Sequence, residues 1–483
     1  MKKSFWHRIN PWAKVRKYEG ASKSKRMRNW RTDSTSANSA IYGSLETLRN
    51  RSRDLKRNNP FAARGLQAIA TNTVGKGIRT QFRDKNSDAP TNPAEELWKP
   101  WAESKVFDFD GRYDIFGFQR MIMQAVPESG EILIRKRFNR KLDFPLQYQI
   151  LEADFLDTDK TQFQTTNGNT IIQGIEFDQD GKRVAYWIFE QHPGAFYEQN
   201  QLTSLVSKRV PASEIRHIFR QERPGQARGV PWLAPVMVRL KDLDDYEDAQ
   251  LMRQKIAACF TAFVQDISAD VFDSNEGDKA TSPDLSERVE PGLIEFLPTG
   301  KTVTFSAPPE VANYDQFTKN VLRSVAAGLG LSYEVLTGDL SEVNFSSARL
   351  GWIEFMRNLE VWRKELVVDS FLASVVDDFI EVCKILGKDF SQMTPVHTPP
   401  RREMIDPTKE IAAAEASIKA GLSTWSEELM ALGKDPEEHF AQYAKDKKMI
   451  DTYQLKLTSD ASVEQAPKQF QGSQNNENNQ TQS

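Results

Sequence analysis

The segment Thr299-Gly300-Lys301-Thr302 is the sharpest candidate for catalysis in the chain. A phosphate-binding loop of the GxxxxGK[ST] type needs glycines that let successive backbone N–H groups wrap the phosphates. Here the first glycine position is Glu295, a carboxylate where phosphate would sit. The residues that follow, Val303-Thr304-Phe305, read as a strand and not as a helix whose N-terminus could hold an anion. The segment is therefore expected to be a hairpin turn, and nucleotide hydrolysis at it stays only as an alternative function. The five histidines (His7, His192, His217, His397, His439) are scattered and form no HExxH, which argues against a zinc hydrolase. There is no GxSxG, so the serine-esterase elbow is missing. Asp244-Asp245 and Asp377-Asp378 lie in helical patterns, where adjacent side chains point about 100° apart. They are expected on solvated faces and not as acid–base pairs. No enzyme, cofactor or metal site is expected.

With chemistry set aside, charge and architecture carry the reading. Residues 1–64 hold 17 Lys/Arg against four acids, while the whole chain of 483 residues sums to −3. The difference leaves −16 on the remaining 419 residues. A basic arm on an acidic body suggests contact with something anionic, and a monomeric, non-specific DNA-binding protein is the second alternative. No apolar run reaches 18 residues, so no membrane span is expected. The basic N-terminus has no apolar core and does not read as a signal peptide. Cys259 and Cys383 form no CxxC, which suggests a reducing compartment and no disulfide frame.

The elements read as α+β. Residues 1–43 are expected to be a basic flexible arm. Helical periodicity over 44–72 is broken at Pro60, which should end one helix and begin another. From 112 to 220 short apolar or alternating runs (EILIRKRF, LQYQILEAD, TIIQGIEFD, VAYWIFEQH) alternate with the turn signals TTNGN and DQDGK. They predict antiparallel strands, with a helix near FGFQRMIMQAV. A helix over 235–262 would be roughly 42 Å long at ~1.5 Å per residue. Leu233, Met237, Leu240 and Leu243 form its one apolar stripe amid many acids, so it could not bury itself alone. Lateral packing with copies from neighbouring chains would bury it.

An acidic insert (266–290), two short strand patterns around Pro298-Thr299-Gly300 and a helix over 313–329 follow. A helical pattern then runs from Ser346 to Leu386, with Trp352, Phe355, Met356, Leu359, Trp362 and Leu366 as its stripe and Gly387 as its cap. Such a length calls for a large partner surface or a kink. Three short C-terminal helices start at Asp406-Pro407, at Thr424 with Glu427 as a capping box, and at Asp435-Pro436. The Gln/Asn-rich tail, 456–483, is expected to be disordered.

Several segments resemble the lambda-type family of phage portal proteins: LRNRSRDLKRNNPFAARGL with NTVGKGI, GIEFDQDGKRVAYWIFEQHPG, VPASEIRHIFRQERPGQARGVPWLAPVMVRLKDLDDYEDAQL, GLGLSYEVLTGDLSEVNFSSARLG, and PPRREMIDPTKEIAA. They run in order from about residue 45 to 445. The resemblance implies a homo-oligomeric ring, usually of about twelve subunits, at one vertex of a phage head. Double-stranded DNA would enter and leave through its tunnel.

It further implies a wing (44–230), a first stem helix (231–265), a small α/β clip (266–310), a second stem helix (311–335) and a tunnel loop (336–347). A long wing helix (348–398) and a helical crown (399–455) would complete the subunit. The implied partners are further copies of the chain, the DNA, the terminase large subunit, major capsid and scaffold proteins, and head-completion or connector proteins; no membrane is implied. The implied location is the virion, with assembly in the host cytoplasm. Thr337, Asp339, Glu342, Val343, Asn344 and Ser346 are the candidates for the tunnel. Thr337-Gly338-Asp339 reads as a turn, and Asn344 or Ser346 as a helix cap. Asp273, Glu276, Asp278, Asp284 and Glu287 are the candidates for terminase docking.

Overall fold

Asn59 ends one helix and starts the next. Its backbone N–H reaches Leu55 O at 2.8 Å, and its side chain accepts from Ala62 N at 2.8 Å. Pro60, with no N–H to leave unpaired, takes the first helical position. The computed structural model describes residues 25, 29–30, 32–84, 93–195, 206–259, 263–266, 301–304, 314–342, 345–401, 404 and 406–455.

In chain order they form α1 (Ala37–Ile41), α2 (Leu45–Asn58), α3 (Pro60–Val74), β1 (Arg79–Asp84), α4 (Pro93–Ala102), α5 (Ile115–Ser129), β2 (Glu131–Phe138) and β3 (Leu146–Glu152). Next come β4 (Thr170–Ile172), β5 (Ile175–Phe177), β6 (Arg183–Ile188), β7 (Lys208–Pro211) and β8 (Ile215–Phe219). Then follow α6 (Met237–Cys259), β9 (Phe263–Asp266), β10 (Lys301–Thr304), α7 (Tyr314–Leu329), α8 (Tyr333–Thr337) and α9 (Phe345–Trp362). The chain closes with α10 (Ala373–Ile385), β11 (Met393–Thr398), α11 (Pro407–Lys419), α12 (Trp425–Ala431) and α13 (Pro436–Thr452).

Two compact units result, one within 1–75 and 98–390 and the other within 76–97 and 391–483. The first unit holds the antiparallel sheets β3-β2-β8 and β4-β5-β6-β7. Leu133, Leu151, Ile175, Tyr186, Ile188, Val210 and Ile215 of these two sheets form one buried cluster. The helix near residues 116–126 is present and strands occupy every expected run, but TIIQGIEFD breaks at Gln173-Gly174 into β4 and β5, which pair antiparallel. An aromatic cluster of Trp98, Trp101, Phe107, Phe118, Tyr148, Phe371 and Phe379 is buried beside β3.

The long helical run departs from the expected one in a definite way. Between α9 and α10, Arg363–Leu372 forms a π-helix, so the chain stays helical from Phe345 to Ile385 with a change of winding in the middle. Two contacts span five residues, as that winding requires: Lys364 pairs with Asp369 at 2.9 Å, and the Ser370 hydroxyl donates to Glu365 O. Arg363 donates to Thr73 O at 2.9 Å and so satisfies a carbonyl at the end of α3. Phe355, Leu359, Trp362 and Leu366 are buried as predicted, while Trp352 and Met356 are only partly so. The helix closes at Gly387 (φ +81°), with Lys388 N on Cys383 O at 2.9 Å and Gly387 N on Lys384 O at 3.1 Å.

Two further expectations change. The end of the supposed flexible arm is ordered: Ala37 and Ile41 are buried, and the Asn38 side chain bonds Gly225 O at 3.0 Å and Ala227 N at 2.8 Å. Residues 391–398, expected with the wing helix, instead belong to the second unit, where β11 pairs antiparallel with β1. In that unit the three C-terminal helices begin at the predicted caps. The side chains of Asp406 and Asp435 accept from Lys409 N and Glu438 N. Thr424 and Glu427 complete a reciprocal capping box at 3.2 and 2.9 Å. The tail 456–483 lies outside the described residues.

Candidate functional site

α7 and α8 position the loop at 338–342. Leu322, Val325, Ala326 and Leu329 bury one face of α7 at helical spacing, and Ser332 caps α8 through Val335 N. Gly338 (φ +76°) turns the chain out of α8 in the left-handed region, where a side chain would be strained. Thr337 donates to Tyr333 O at 2.8 Å and accepts from Asp339 N at 3.1 Å. The Asp339 carboxylate accepts from the Ser341 hydroxyl at 2.6 Å, Ser341 N at 3.0 Å and the Tyr333 hydroxyl at 3.3 Å. The Ser341 bonds hold its acid below the ordinary carboxylate range.

Glu342 crosses back to α7 and meets Lys319 at 2.8 Å and Arg323 at 3.4 Å. Lys319 also pairs with Asp315 at 3.0 Å. The bond from Glu342, with Asp315 second, raises the lysine's affinity for its proton. Both loop acids are therefore engaged. Of the other tunnel candidates, Val343 and Asn344 lie outside the described residues. Ser346 falls inside α9, which begins at Phe345, and so is not its cap.

α6 starts two residues later than expected, at Met237, and is described through Cys259, 23 residues or roughly 34 Å at ~1.5 Å per residue. Its predicted stripe is real but short. Leu233, Met237, Leu240 and Leu243 are buried, and none of residues 244–255 is. Leu251 and Met252 stand 51% and 57% exposed. The link to α7 is aromatic: Tyr246 lies 5.9 Å from Tyr314 and 4.7 Å from Phe317, centroid to centroid. Asp244, expected on a solvated face, accepts from Asn59 at 2.7 Å and ties α6 to the start of α3. Asp245 pairs with Lys241 on the surface.

The acidic docking candidates Asp273, Glu276, Asp278, Asp284 and Glu287 lie outside the described residues. So does the expected strand before Gly300; Lys301–Thr304 pairs antiparallel with Phe263–Asp266, across the insert. Lys301 and Thr302 thus sit in a strand together with Val303 and Thr304, where a phosphate loop requires its helix to begin.

Beneath the sheets lies a buried charge junction that sequence reasoning missed. Glu131, the first residue of β2, is 1% exposed. It receives Arg228 at 2.5 and 2.9 Å, Arg49 at 3.1 Å, His217 at 2.9 Å and Gly229 N at 2.9 Å. Burial opposes its ionisation, but the Arg228 charge and the His217 bond outweigh burial, so the acid stays far below its usual range. Burial pushes the His217 imidazole down despite the acid beside it. With Nε2–H assigned to Glu131, the buried Nδ1 has no donor or acceptor opposite. Gly130 and Gly229 pass so close that a Cβ on Gly229 would stand 2.1 Å from Gly130 O.

Arg49 also meets Asp154 at 3.3 Å, and Arg53 meets Asp154 at 2.6 Å and Glu152 at 2.8 Å. Part of the N-terminal basic excess is therefore spent inside the fold. Glu152, Asp154 and His192 lie close enough for a cation, but the Arg53 guanidinium bridges the two acids. His192 Nδ1 accepts from Gly194 N, which assigns the proton to Nε2, toward Glu152. Asp378 is likewise buried and not solvated, bound by Lys136, Arg216 and the Tyr148 hydroxyl at 2.8–2.9 Å, while its neighbour Asp377 faces out. The pair does point apart, as helical geometry demands. Glu152, Asp154 and Asp378 are held by neighbouring cations within the fold.

A sequence profile described as "Phage portal protein, lambda family" matches residues 23–363. The chain belongs to the lambda family of phage portal proteins. The portal match takes in α1 to α9, the 338–342 loop and the buried charge junction. It stops at Arg363, where the π-helix starts. The probable portal protein of Halomonas phage phiHAP-1 is 28% identical over 450 residues, covering 89% of this chain and 86% of that one. Portal protein B of Escherichia phage lambda is 23% identical over 471 residues, with 87% of each chain covered. A chain in the virion of a native gene transfer agent particle is similar at a TM-score of 0.49 and 14% identity, covering 82% of this chain and 95% of its own. A portal is a structural component of the phage head and not an enzyme, and neither portal relative supports nucleotide hydrolysis or a monomeric DNA-binding role.

Proposed function

We propose that this portal protein assembles into a ring of about twelve subunits at one capsid vertex and acts as the conduit for double-stranded DNA in packaging and ejection. One observation carries the reading. α6 is buried only as far as Leu243, and beyond it Leu251 and Met252 stay about half exposed in the subunit. Neighbouring copies of α6 would cover them, since a head-to-tail contact repeated by rotation closes into a ring. In this reading α6 and α7 are the stem, and the two sheets with their covering helices are the wing.

The loop after α8 faces the tunnel, residues 266–310 form the clip that docks the terminase large subunit, and α11–α13 form the crown. Capsid, scaffold and head-completion proteins meet the outside of the ring, first in the host cytoplasm and then in the virion. Among the described residues no helix is long and apolar enough to cross a membrane. Light scattering tests the assembly: a mass many times 55.1 kDa is expected. Deleting 272–288 tests the clip: rings should persist while terminase binding weakens, and unchanged binding and packaging would remove that assignment.

A further inference from the structure

Lys319 and Arg323 stand four residues apart on α7, so their side chains share one face. The Glu342 carboxylate bridges them, one oxygen to Lys319 Nζ at 2.8 Å and the other to an Arg323 terminal nitrogen at 3.4 Å. Arg323 is further oriented by the Tyr333 ring, 5.6 Å from its guanidinium carbon. A phosphodiester presents the same feature to a protein, two unesterified oxygens sharing one negative charge. Lys and Arg are the side chains that recognise it. Glu342 is 62% exposed and four residues from the turn at Gly338, so its hold on the cations can be broken without opening the core. Exposed ion pairs of this kind are weak.

We propose that Lys319 and Arg323 are a phosphate-binding pair for the backbone of duplex DNA, and that Glu342 is an internal stand-in for phosphate that closes the pair when DNA is not there. This rests on the conduit reading and adds a mechanism of release. A passing phosphate displaces the carboxylate, and the carboxylate returns as the phosphate moves on. The phosphate gives up its condensed cation, but the displaced carboxylate is left as a new anion beside the duplex and takes a cation up, so the exchange adds little net salt dependence. A permanently open pair would grip DNA in the ordinary, strongly salt-dependent way.

The test compares full-length wild type, Glu342→Gln, and the triple variant Lys319→Gln/Arg323→Gln/Glu342→Gln. Both variants break the loop tether, but only the first keeps the cations, with Arg323 released and Lys319 held by Asp315 alone. The measurement is affinity for a 30-base-pair duplex (roughly 100 Å long at 3.4 Å per base pair) at several salt concentrations. Glu342→Gln should bind at least about tenfold tighter than wild type at about 50 mM salt. Its plot of log K against log salt should steepen by ~0.9 for each additional phosphate that the open pair neutralises. The triple variant should return to the wild-type affinity and slope. Equal slopes for wild type and Glu342→Gln, or equal behaviour of the two variants, would overturn the proposal and leave Glu342 as a tether. Electron microscopy of the same samples scores ring formation separately. If no rings form, the conduit reading fails by itself, and the slope comparison on the unassembled chain still decides the exchange.

Discussion

Lys319 and Glu342 meet at 2.8 Å, joining α7 to the loop that leaves α8. The loop that was expected in the tunnel is tied to α7 by charge. Replacing Asp339 and Glu342 with Lys consequently does more than add two cations. It breaks the Ser341 turn and sets a third positive charge against Lys319 and Arg323. All the broken contacts but the part-buried bond from the Tyr333 hydroxyl to Asp339 are exposed, so rings should still form and melt near the wild-type temperature. Packaging should slow or stop short, because each subunit then offers cations to moving DNA. Full-length packaging at the normal rate would show that the loop does not meet DNA, and failure of ring assembly would show that its acids are structural.

The buried junction makes a second prediction. Arg228 is fully buried and gives Glu131 its closest bonds. Arg228→Met should cost about 3–5 kcal/mol, because it leaves an acid buried with too few partners. Removing both charges, with Glu131→Gln added, should recover part of that loss. Chemical denaturation of the two variants checks both claims. A double variant no more stable than Arg228→Met would place the cost in packing and not in charge.

His217 sets the first step of acid unfolding. Its proton affinity is lowered in the folded state, so below about pH 6.5 the unfolded chain takes up a proton that the folded chain refuses. Stability should therefore fall as pH drops through that range, by at most ~1.4 kcal/mol per pH unit. Glu131 is depressed in the same direction. Its contribution is fully present above about pH 4.5 and is lost below it, as pH falls toward its folded value. His217→Gln keeps an N–H donor for Glu131 but cannot titrate, so it should remove the first step and leave the second. Identical stability profiles for wild type and His217→Gln between pH 5 and 7 would refute this assignment.

α6 yields a prediction about assembly alone. Leu251→Asp with Met252→Asp alters side chains that are about half exposed in the subunit. The monomer's circular dichroism and melting should hardly change, while the assembled fraction at a given concentration should drop. Rings that form as readily as wild type would mean that this half of α6 does not face a neighbour.

Features set by adjacent residues could be read from the sequence. The Pro60 junction, the Thr424–Glu427 capping box and the Gly387 cap each lie within a few residues, and each is found where it was expected. Alternation located β2, β3 and β6 for the same reason. What could not be read joins distant segments. Glu131 and Arg228 are 97 positions apart, and β11 finds β1 across more than three hundred. The one local signal for the junction was an acid heading the apolar run EILI, and nothing nearby named its partner. The two helices at Ser346–Leu386 showed continuous periodicity, yet a π-helix needs only one extra residue per bond, too small a shift for the pattern to reveal. In the loop, the turn at Thr337–Asp339 was legible, but the pairing of Glu342 with α7 was not, since it depends on how two helices meet.

The central claim is a ring, and images of the purified full-length chain by negative-stain electron microscopy test it most directly. The account predicts annular particles with a central hole and a mass that is a multiple of 55.1 kDa. Particles of 55.1 kDa alone, at micromolar concentration and across several salt conditions, would contradict it.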